Sequence, residues 1–579
     1  MPGFIIAPLQ DSLNLSQEER KDLIVKRINT NELCIEQRTV NKFLNDKPFF
    51  ETNEYCAILD GVILNSEYLN AKYHQKSFQD TLISMYEDNG ECFFDEFRGS
   101  FSGFFYDKKK EIKIIFTDHI GSKQVFYSKF SEKYIIASDI NYIVGFYKNA
   151  NIHYSLNRNA AYFLLTYGFM IEDHTLVNEI KKLKAGHCIK ITQSTFEIKK
   201  YYNLCNDPSY SKSEQEIVDH IDGLFRQAVQ RAFEKDREYG YKHLVGLSGG
   251  LDSRMTTWVA NDMGYNEKIV NYTFSQSDYL DETTPKKIAS DLKHEWIFKS
   301  LDNGLFLKDI DDTTRISSGG ALYYGLAHGK SCLDLIAKRQ FGIVHTGQLG
   351  DVVLGTFYST LDKSKPFDVS DGAYSMVLKD KLDRSMFSED YQNEEIFKFY
   401  TRGFAGANQG LLVAQEFSET YSPFYDIDFM EYCLSIPVEL RANHYIYKKW
   451  IIDKYPHAAS YVWEKTGARI TDKSLNILGR RIPVSKLPKK ILDFTLKKLG
   501  MAQTYLSSRS HMNPLEYYYA TNNDLKIFLQ RYFYENVKLL KHDKELFDDC
   551  NKLFENQTII EKIQVITLLS AMKRYFSTV

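Results

Sequence analysis

The sequence predicts an α/β protein in which an antiparallel, β-rich region precedes a doubly wound parallel sheet and a largely helical end. Residues 1–205 contain short alternating or apolar runs that turn-like segments separate. From about residue 214 helical and strand-like patterns alternate, and beyond about 375 the pattern is almost entirely helical. Alternating β and α patterns are typical of parallel sheets, whereas short runs broken by turns are typical of antiparallel ones. At 579 residues the chain is long enough for two or more domains.

The strand-like runs of the first region lie between turn-like segments such as DKKK, HIGSK and LKAG. These runs are YCAILDGVIL (55–64), SFSGFFYD (100–107), EIKIIFTD (111–118) and HCIKIT (187–192). A polar stretch at 206–216, NDPSYSKSEQE, follows and predicts a linker in which Ser211 or Ser213 caps the next helix. We therefore expect domains at 1–205 and 217–475 and a helical extension at 476–579.

Three strands are predicted for the parallel sheet, and each ends in a turn rich in Gly, Ser or Thr. They are HLVGL (243–247), KIVNYTF (268–274) and GIVHTG (342–347). In open parallel sheets ligands bind at the carboxyl ends of the strands. The turns after these strands are therefore the first place to search for a site.

Composition excludes several classes of function. The net charge is −3, with both signs spread along the chain, so no nucleic-acid partner is expected. The eight cysteines form no C-x-x-C pair, which suits a cytoplasmic protein without structural zinc. The start of the chain has no signal-peptide pattern, and no apolar run is long enough for a transmembrane segment. A basic segment at 480–498 predicts either a solvated helix face, which we favour, or contact with a membrane surface.

The first turn carries SGGLDS, residues 248–253, after the strand that ends at Leu247. A strand, a glycine-rich turn and a helix N-terminus together form an anion site, because free N–H groups point at the bound charge. The lysine of the common nucleotide loop is absent, and Asp252 is a partner for phosphate only through a cation such as Mg²⁺. The alternative is an ordinary turn in which a serine caps the helix.

A similar turn follows the third strand, in HTGQLGDVVLGT, and contains Asp351. Asp252 and Asp351 are 99 residues apart, yet both follow strands at the same edge of the predicted sheet. Two carboxylates on neighbouring strand-end loops are what a Mg²⁺–triphosphate site requires. A simple turn aspartate explains either residue alone but not the pair.

Several motifs, in order along the chain, resemble those of asparagine synthetases, β-lactam synthetases and lasso-peptide cyclases. They are SGGLDS (248–253), TFSQSDYLDE (273–282), TGQLGD (346–351), ETYSPFYDIDFMEYCLSIP (419–437) and EKTGA (464–468). The resemblance implies an ATP-pyrophosphatase domain at 217–475, in which EKTGA supplies a catalytic lysine, Lys465. Leu349 stands where the S-G-x-G-x-D turn of the family usually has glycine.

The first 205 residues resemble a class II glutamine amidotransferase domain, an Ntn-type sandwich of antiparallel sheets between helices. The similar segments are LDGVILN (59–65), FRGSFSGFFYD (97–107), TDHIGSKQVFYS (117–128) and TYGFMIEDHTLVNEIKKLKAGH (166–187). The family nucleophile is a cysteine after the initiator methionine, where this chain has Pro2. The family pocket motif N-G-E reads Asp60-Gly61-Val62, and the aspartate of D-G-x-F is replaced by Arg98. The resemblance therefore implies a domain without glutaminase activity.

The resemblance implies a ligase that adenylates a carboxylate with ATP and Mg²⁺ and then transfers the acyl group to an amine. Its substrates would be small molecules or peptide- or glycan-linked groups, and the chain could form a homodimer. The site residues that it implies are Asp252 and Asp351 for the metal, Lys465 and Gln348 for catalysis, and Leu247, Ser248, Gly249, Gly250, Asp252, Ser253, Gln276, Thr346 and Gly347 for ATP.

Gln348 stands where asparagine synthetases have a glutamate and β-lactam synthetases a tyrosine. An amide is no general base near neutral pH, so the group that deprotonates the amine is unassigned. Tyr323 or Tyr324 is a candidate, although core packing explains both better. Two alternatives to the ligase are an asparagine synthase, driven by glutamine or ammonia, and an inactive nucleotide-binding or scaffold protein.

Overall fold

The computed structural model describes residues 1–15, 20–208, 213–361, 366–477, 480–483 and 511–577. Ser211 and most of the basic segment at 480–498 lie outside the described residues, so their predictions stay untested. No helix within the described ranges is both long and apolar enough to cross a membrane.

Two antiparallel sheets of six strands each form the first 200 residues. Their strands are Gly3–Pro8 (β1), Ile24–Asn29 (β2), Leu33–Thr39 (β3), Phe49–Glu51 (β4), Tyr55–Ile63 (β5), Gly99–Asp107 (β6), Ile112–Thr117 (β7), Phe126–Phe130 (β8), Lys133–Ala137 (β9), Lys181–Lys182 (β10), His187–Ile191 (β11) and Phe196–Lys200 (β12). The strand orders are β10-β8-β9-β1-β3-β2 and β12-β11-β7-β6-β5-β4. Alternate side chains of both sheets, such as Phe4, Ile136, Ile58 and Phe104, share one buried cluster, which confirms the predicted sandwich.

The following strands form a five-stranded parallel sheet. They are Lys242–Gly246 (β13), Ile269–Ser275 (β14), Glu295–Ser300 (β15), Phe341–His345 (β16) and Thr420–Tyr421 (β17). Their order is β15-β14-β13-β16-β17, and every neighbouring pair is parallel. The order reverses between β13 and β16, so the loops that leave these two strands diverge and open a crevice. The sequence patterns predicted β13, β14 and β16 but missed β15 and β17.

Twenty α-helices are described in the covered ranges. They are Ser66–Lys72 (α1), Phe78–Asn89 (α2), Ile140–Asn149 (α3), Arg158–Thr166 (α4), Glu214–Glu238 (α5), Asp252–Asp262 (α6), Leu280–Leu292 (α7), Ile310–Ile316 (α8), Tyr324–Leu333 (α9), Gly350–Val353 (α10), Glu394–Lys398 (α11), Leu412–Gln415 (α12), Ile427–Leu434 (α13), Val438–Arg441 (α14), Tyr445–Lys454 (α15), Pro456–Ala459 (α16), Leu515–Thr521 (α17), Asn523–Asn536 (α18), Lys544–Asn556 (α19) and Ile559–Phe576 (α20). Two antiparallel strand pairs, Val462–Trp463 with Ala468–Arg469 and Ser474–Ile477 with Arg480–Pro483, interrupt this helical part.

Helix α5 is capped at its N-terminus and tied to the parallel sheet near its C-terminus. Its N-terminus has a capping box, in which the Ser213 hydroxyl accepts the N–H of Glu216 and the Glu216 carboxylate accepts the N–H of Ser213. Near its C-terminus the fully buried Asp236 accepts hydrogen bonds from His243 on β13, at 2.8 Å, and from His345 on β16, at 2.7 Å. One carboxylate therefore aligns the two strands whose loops flank the crevice.

The last helix, α20, is buried along almost its whole length and joins the two halves of the chain. Its cluster contains Ile143 and Tyr162 from the first region and Tyr323 from the second. The Gln564 side chain also donates to the carbonyl of Thr166 at 3.2 Å. Because α20 touches both regions, removing it would expose a continuous core.

Candidate functional site

A cavity of about 890 Å³ opens at the carboxyl ends of β13 and β16. Most of the predicted site residues line it, namely Leu247, Ser248, Gly250, Asp252, Ser253, Thr346, Gly347, Gln348 and Asp351. Residues that far apart in sequence meet there because the strand order reverses at this point of the sheet.

Asp252 and Asp351 form a pair of half-buried carboxylates in the cavity wall. Asp252, the first residue of α6, accepts the backbone N–H of Asp351 at 3.0 Å and the hydroxyl of Tyr447 at 2.9 Å. Burial and then the charge of Asp351 raise the pKa of Asp252 well above its usual range. Burial likewise raises the pKa of Asp351, although the cationic side chains of Lys465 and Arg402 oppose it. Such a pair holds two negative charges at neutral pH only at a cost, which a bound cation would remove.

The SGGLDS loop is held in shape by its own hydrogen bonds. The N–H groups of Ser248, Gly249 and Gly250 donate to Ser253 Oγ, Asp281 Oδ1 and Ser248 Oγ, at 2.9, 2.7 and 3.2 Å. The N–H groups of the first turn of α6 have no acceptor within the helix, and this end of the helix lies at the cavity wall. The amides available to an anion are therefore those of the helix start rather than those of the two glycines.

Gly347 and Gly350 let the second loop lie against the first. A Cβ atom on Gly347 would lie 2.3 Å from the backbone nitrogen of Ser253, and one on Gly350 would lie 2.8 Å from Cγ of Asp252. Real Cβ atoms do not approach so closely, so both positions require glycine. The side-chain oxygen of Thr346 is buried between the loops and has no hydrogen-bond partner among the described residues.

Leu349 interrupts this loop with a strained backbone. Its φ of 63° places it in the left-handed region, which costs a residue with a branched side chain roughly 1–2 kcal/mol. Its side chain is buried, and the nearest contact for a Cβ built on Gly403 is Leu349 Cδ1, at 3.1 Å. The position therefore has the backbone conformation for which the family glycine is suited, although a leucine occupies it.

Lys465 lies beside the cavity and is not part of its wall. Its Nζ is 3.5 Å from Nε2 of His444 and 5.7 Å from the ring centre of Trp463, and its side chain is exposed. The charge of Lys465 nevertheless reaches both carboxylates, where it opposes the rise in their pKa. The lysine is thus placed for long-range charge stabilisation, and only a movement of its side chain would bring it into contact with a ligand.

Buried Arg254 anchors the segment before Lys465 to the first loop. Its guanidinium donates to the carbonyls of Gly249 at 3.1 Å, Ala458 at 3.1 Å and Val462 at 2.8 Å. The N–H of Glu464 also donates to the Gly249 carbonyl, at 3.1 Å. Burial lowers the pKa of Arg254 to about 10, so it remains charged at neutral pH.

Gln276 and Gly249, both predicted to bind ATP, do not line the cavity. Gln276 is 5% exposed, and its side-chain Oε1 has no hydrogen-bond partner within the described part of the chain. Its backbone N–H donates to the carbonyl of Met512 at 3.0 Å. Met512 lines the cavity, so Gln276 supports the wall from behind.

The two tyrosines of GGALYYG have different places. Tyr323 is fully buried and donates to the carbonyl of Leu307 at 3.0 Å, as a core residue would. Tyr324 lines the cavity, and burial raises its pKa, so its hydroxyl is protonated at neutral pH. Neither residue has the properties of a base.

Sequence reasoning missed several residues of the cavity wall. His328 on α9 lines it between Phe274 and Tyr324, and burial lowers the pKa of His328 to about 4, which leaves a neutral imidazole. Arg402 lines it from a π-helix at 399–406. These positions lie in segments without a recognisable motif, so only the structure brings them to the site.

The first region also contributes to this wall, through Gly168 and Phe169. Their segment pairs with the second region: the N–H of Leu322 donates to the carbonyl of Gly168 at 3.0 Å, and that of Met170 to the carbonyl of Gly320 at 2.9 Å. The cavity is therefore incomplete without the amidotransferase-like region.

The position of the family glutamine pocket holds ion pairs between the two regions. The ammonium of buried Lys123 lies 3.3 Å from Asp60 and 2.7 Å from Glu419. Arg98 donates to Asp428 at 2.9 Å. Two of the pocket positions, Asp60 and Arg98, are thus engaged in contacts that hold the two halves of the chain together.

Comparison with known proteins finds an amidotransferase domain in the first region and glutamine-hydrolyzing asparagine synthetases among the relatives of the chain. A glutamine amidotransferase domain family matches residues 42–202. The chain is 23% identical over 316 residues to a putative glutamine-hydrolyzing asparagine synthetase 2 of Methanocaldococcus jannaschii, a match that covers 53% of this chain and 59% of that protein. It is 27% identical over 276 residues to asparagine synthetase 2 of Bacillus subtilis, covering 44% of this chain and 34% of the relative. The matches thus span less than two thirds of either relative.

Among solved structures, the chain has a TM-score of 0.24 and 9% identity with glutamine phosphoribosylpyrophosphate amidotransferase from B. subtilis, over 52% of this chain and 85% of that one. The TM-score with an NH₃-dependent NAD synthetase from Campylobacter jejuni is 0.19, at 17% identity, over 40% of this chain and 94% of the other. Scores this low carry no weight for function.

Proposed function

We propose, on the premise that this chain is a relative of the asparagine synthetase superfamily with a class II amidotransferase-like domain, that it is an ATP-dependent amide-forming ligase. In the proposed reaction a substrate carboxylate attacks the α-phosphorus of ATP, and pyrophosphate leaves. An amine then attacks the acyl-adenylate, forms the amide bond and releases AMP.

The observation that carries the proposal is the pair of half-buried carboxylates, Asp252 and Asp351, at the edge of a parallel sheet. Burial makes their charge costly, and their pKa values are raised accordingly. They face a cavity large enough for a nucleotide and a second substrate. A structural role would be served better by a neutral pair, so the arrangement favours a cation ligand.

The surrounding residues fit Mg²⁺ and ATP. The Thr346 hydroxyl, which has no hydrogen-bond partner among the described residues, and the first-turn amides of α6 offer hydrogen bonds to phosphate oxygens. Gly347 and Gly350 leave room that a Cβ atom would fill. Asp252 and Asp351 would hold the Mg²⁺, which would supply positive charge against the developing pyrophosphate.

Lys465 is proposed to stabilise the negative charge that develops when the amine attacks. Its side chain is exposed beside the cavity and its charge already acts on both carboxylates. Gln348 lines the cavity and can orient an amine by hydrogen bonding, without acting as a base.

We also propose that the amidotransferase-like domain has no glutaminase activity. In addition to the sequence departures, Lys123 pairs with Asp60 and Glu419, and Arg98 pairs with Asp428, where the glutamine pocket would be. Glutamate release from glutamine by the purified protein would contradict this part of the proposal.

Exchange of radiolabelled pyrophosphate into ATP, measured with a panel of carboxylic acids, tests the reaction class. Asp252→Asn and Asp351→Asn should each abolish exchange and Mg²⁺-dependent ATP binding. Asp262→Asn is the matched control, because Asp262 lies at the other end of α6 and its ion-pair partner among the described residues is half-buried Arg226. Release of ADP and phosphate instead of AMP and pyrophosphate would overturn the proposed class, as would full exchange in both variants.

Two alternatives make different predictions in the same assays. An inactive nucleotide-binding protein would bind Mg-ATP and show no pyrophosphate exchange with any acid. The strained backbone of Leu349 in the TGQLGD loop favours this alternative. An asparagine synthase that lost its base would gain ammonia-dependent amidation of aspartate on Gln348→Glu. We expect no such gain, because we propose an amine on a larger substrate as the nucleophile.

A further inference from the structure

We propose that Arg402 forms an anion-binding subsite, which recognises a negatively charged group on the substrate other than the carboxylate that is activated. The group would be a second carboxylate, a phosphate or a sulfate. This inference rests on the proposed function, since it names the substrate class of that site.

Arg402 is a cation of the cavity wall for which the described part of the chain offers no ion-pair partner. Its side chain is exposed to the cavity, and among the described residues no carboxylate lies within 4.0 Å of its guanidinium. The guanidinium carbon lies 5.7 Å from the centre of the Tyr374 ring. Lys398, one turn earlier, differs because Glu394 neutralises it and its Nζ donates to the carbonyl of Phe357 at 3.2 Å.

The backbone places Arg402 next to the TGQLGD loop, residues 346–351, which contains Asp351. Arg402 lies in the π-helix at 399–406. A π-helix is rare in proteins overall, and those that occur are often found at functional sites. Gly403 and Gly406 lie against Leu349 and the ring of Phe169: a Cβ added to them would lie 3.1 Å from Leu349 Cδ1 and 3.0 Å from Phe169 Cδ1, respectively. The π-helix is thus wedged between the loop of Asp351 and the wall from the first region.

The electrostatics of the site point in the same direction. The planar guanidinium, whose carbon lies 5.7 Å from the centre of the Tyr374 ring, is suited to two parallel hydrogen bonds with an oxyanion. The reacting carboxylate loses its charge on adenylation, so an arginine that served it alone would lose its partner midway. A second anionic group keeps the contact through both steps.

The neighbouring wall indicates where the body of such a substrate lies. Apart from Lys398, whose charge Glu394 neutralises, the wall near Arg402 includes small or apolar residues, among them Gly168, Phe169 and Leu322. This surface offers room and apolar contact without further charge. The substrate class is therefore an anion with an uncharged or apolar body.

The ATP triphosphate is another source of oxyanions, and the experiment separates the two. Calorimetry on the full-length chain first measures Mg-ATP binding by the wild type, Arg402→Met and Arg402→Lys. We expect Mg-ATP affinities within about twofold of each other. A tenfold or greater loss in Arg402→Met would assign the arginine to the nucleotide and overturn the inference.

The second arm loads the protein with Mg²⁺ and α,β-methylene-ATP, which occupies the phosphate site, and titrates malonate or its uncharged diamide, malonamide. We expect the wild type to bind malonate and not malonamide, Arg402→Met to bind malonate roughly tenfold or more weakly, and Arg402→Lys to fall between them. Equal binding of malonate by wild type and Arg402→Met would refute the inference, as would equal binding of the two probes by the wild type.

Arg384→Met is the matched control, because Arg384 stacks on Phe367 at 5.0 Å in the same part of the chain but lies outside the cavity wall. It should bind malonate as the wild type does, and a loss equal to that of Arg402→Met would show a nonspecific charge effect and contradict the subsite. Neither arm requires turnover, so a failure here leaves the pyrophosphate-exchange result to decide the proposed function separately.

Discussion

Asp281→Asn should stabilise the protein in a manner that depends on pH. Asp281 is 7% exposed and accepts the N–H of Gly249 at 2.7 Å, which fixes the SGGLDS loop. Burial raises its pKa from 3.8 to about 6; the charge of Glu464 adds to the rise, while the Gly249 hydrogen bond and His511 oppose it. An asparagine keeps an oxygen for the Gly249 N–H and removes the buried charge.

The difference in the Asp281 pKa between the folded and unfolded states sets the direction in which stability changes with pH. Since the folded-state pKa of Asp281 is raised, the native state holds a proton that the unfolded chain releases between pH 3.8 and about 6. Stability is therefore lost as the pH rises through this window, and the full penalty applies above it. A shift of this size corresponds to roughly 3 kcal/mol, because each pKa unit is worth about 1.4 kcal/mol.

Urea unfolding of wild type and Asp281→Asn at pH 5.0 and 7.5 measures the effect. We expect the variant to be more stable by roughly 3 kcal/mol at pH 7.5 and by about half of that at pH 5.0. Asp281→Ala is the control, because it removes the acceptor and leaves the Gly249 N–H unsatisfied, which costs about 1–3 kcal/mol. A stabilisation that is the same at both pH values, or a less stable Asp281→Asn, would refute the reasoning.

Three further changes test other parts of the structure. Lys465→Met should retain pyrophosphate exchange but lose ~10²–10³ in the rate of amide formation, as removal of one preorganised charge does; loss of exchange as well would contradict a role after adenylation. Gly347→Ala should abolish Mg-ATP binding while the far-ultraviolet circular dichroism stays unchanged, because the added Cβ meets the backbone of Ser253 at 2.3 Å; unimpaired binding would show that the loops separate easily. Lys123→Met should lower the free energy of unfolding by about 3–5 kcal/mol, since Glu419 loses one of its buried partners; a neutral effect in urea unfolding would mean that Lys47, its other partner, suffices.

Local patterns decided much of the fold from the sequence alone. The alternating runs at 55–64 and 100–107 became β5 and β6, because a period of two side chains matches the two faces of a sheet. Ser213 caps α5 as its type and position predicted, since a cap depends only on neighbouring residues. The backbone nitrogen of Asp351 lies 3.0 Å from Oδ2 of Asp252 because two parallel strands place their ends at one edge of the sheet.

The tertiary structure alone decided the rest of the site. Strands β15 and β17 escaped the sequence analysis: β15 is half-buried and β17 is two residues long, so neither has a clear pattern. Arg402 and Phe169 come from segments without motifs and reach the cavity through packing against residues far away in sequence. Lys465, by contrast, was identified from its motif, yet its place beside the wall depends on how Arg254 holds the preceding segment. The reactive groups of a motif are given by consecutive residues, whereas the shape and charge of the space around them depend on contacts between distant parts of the chain.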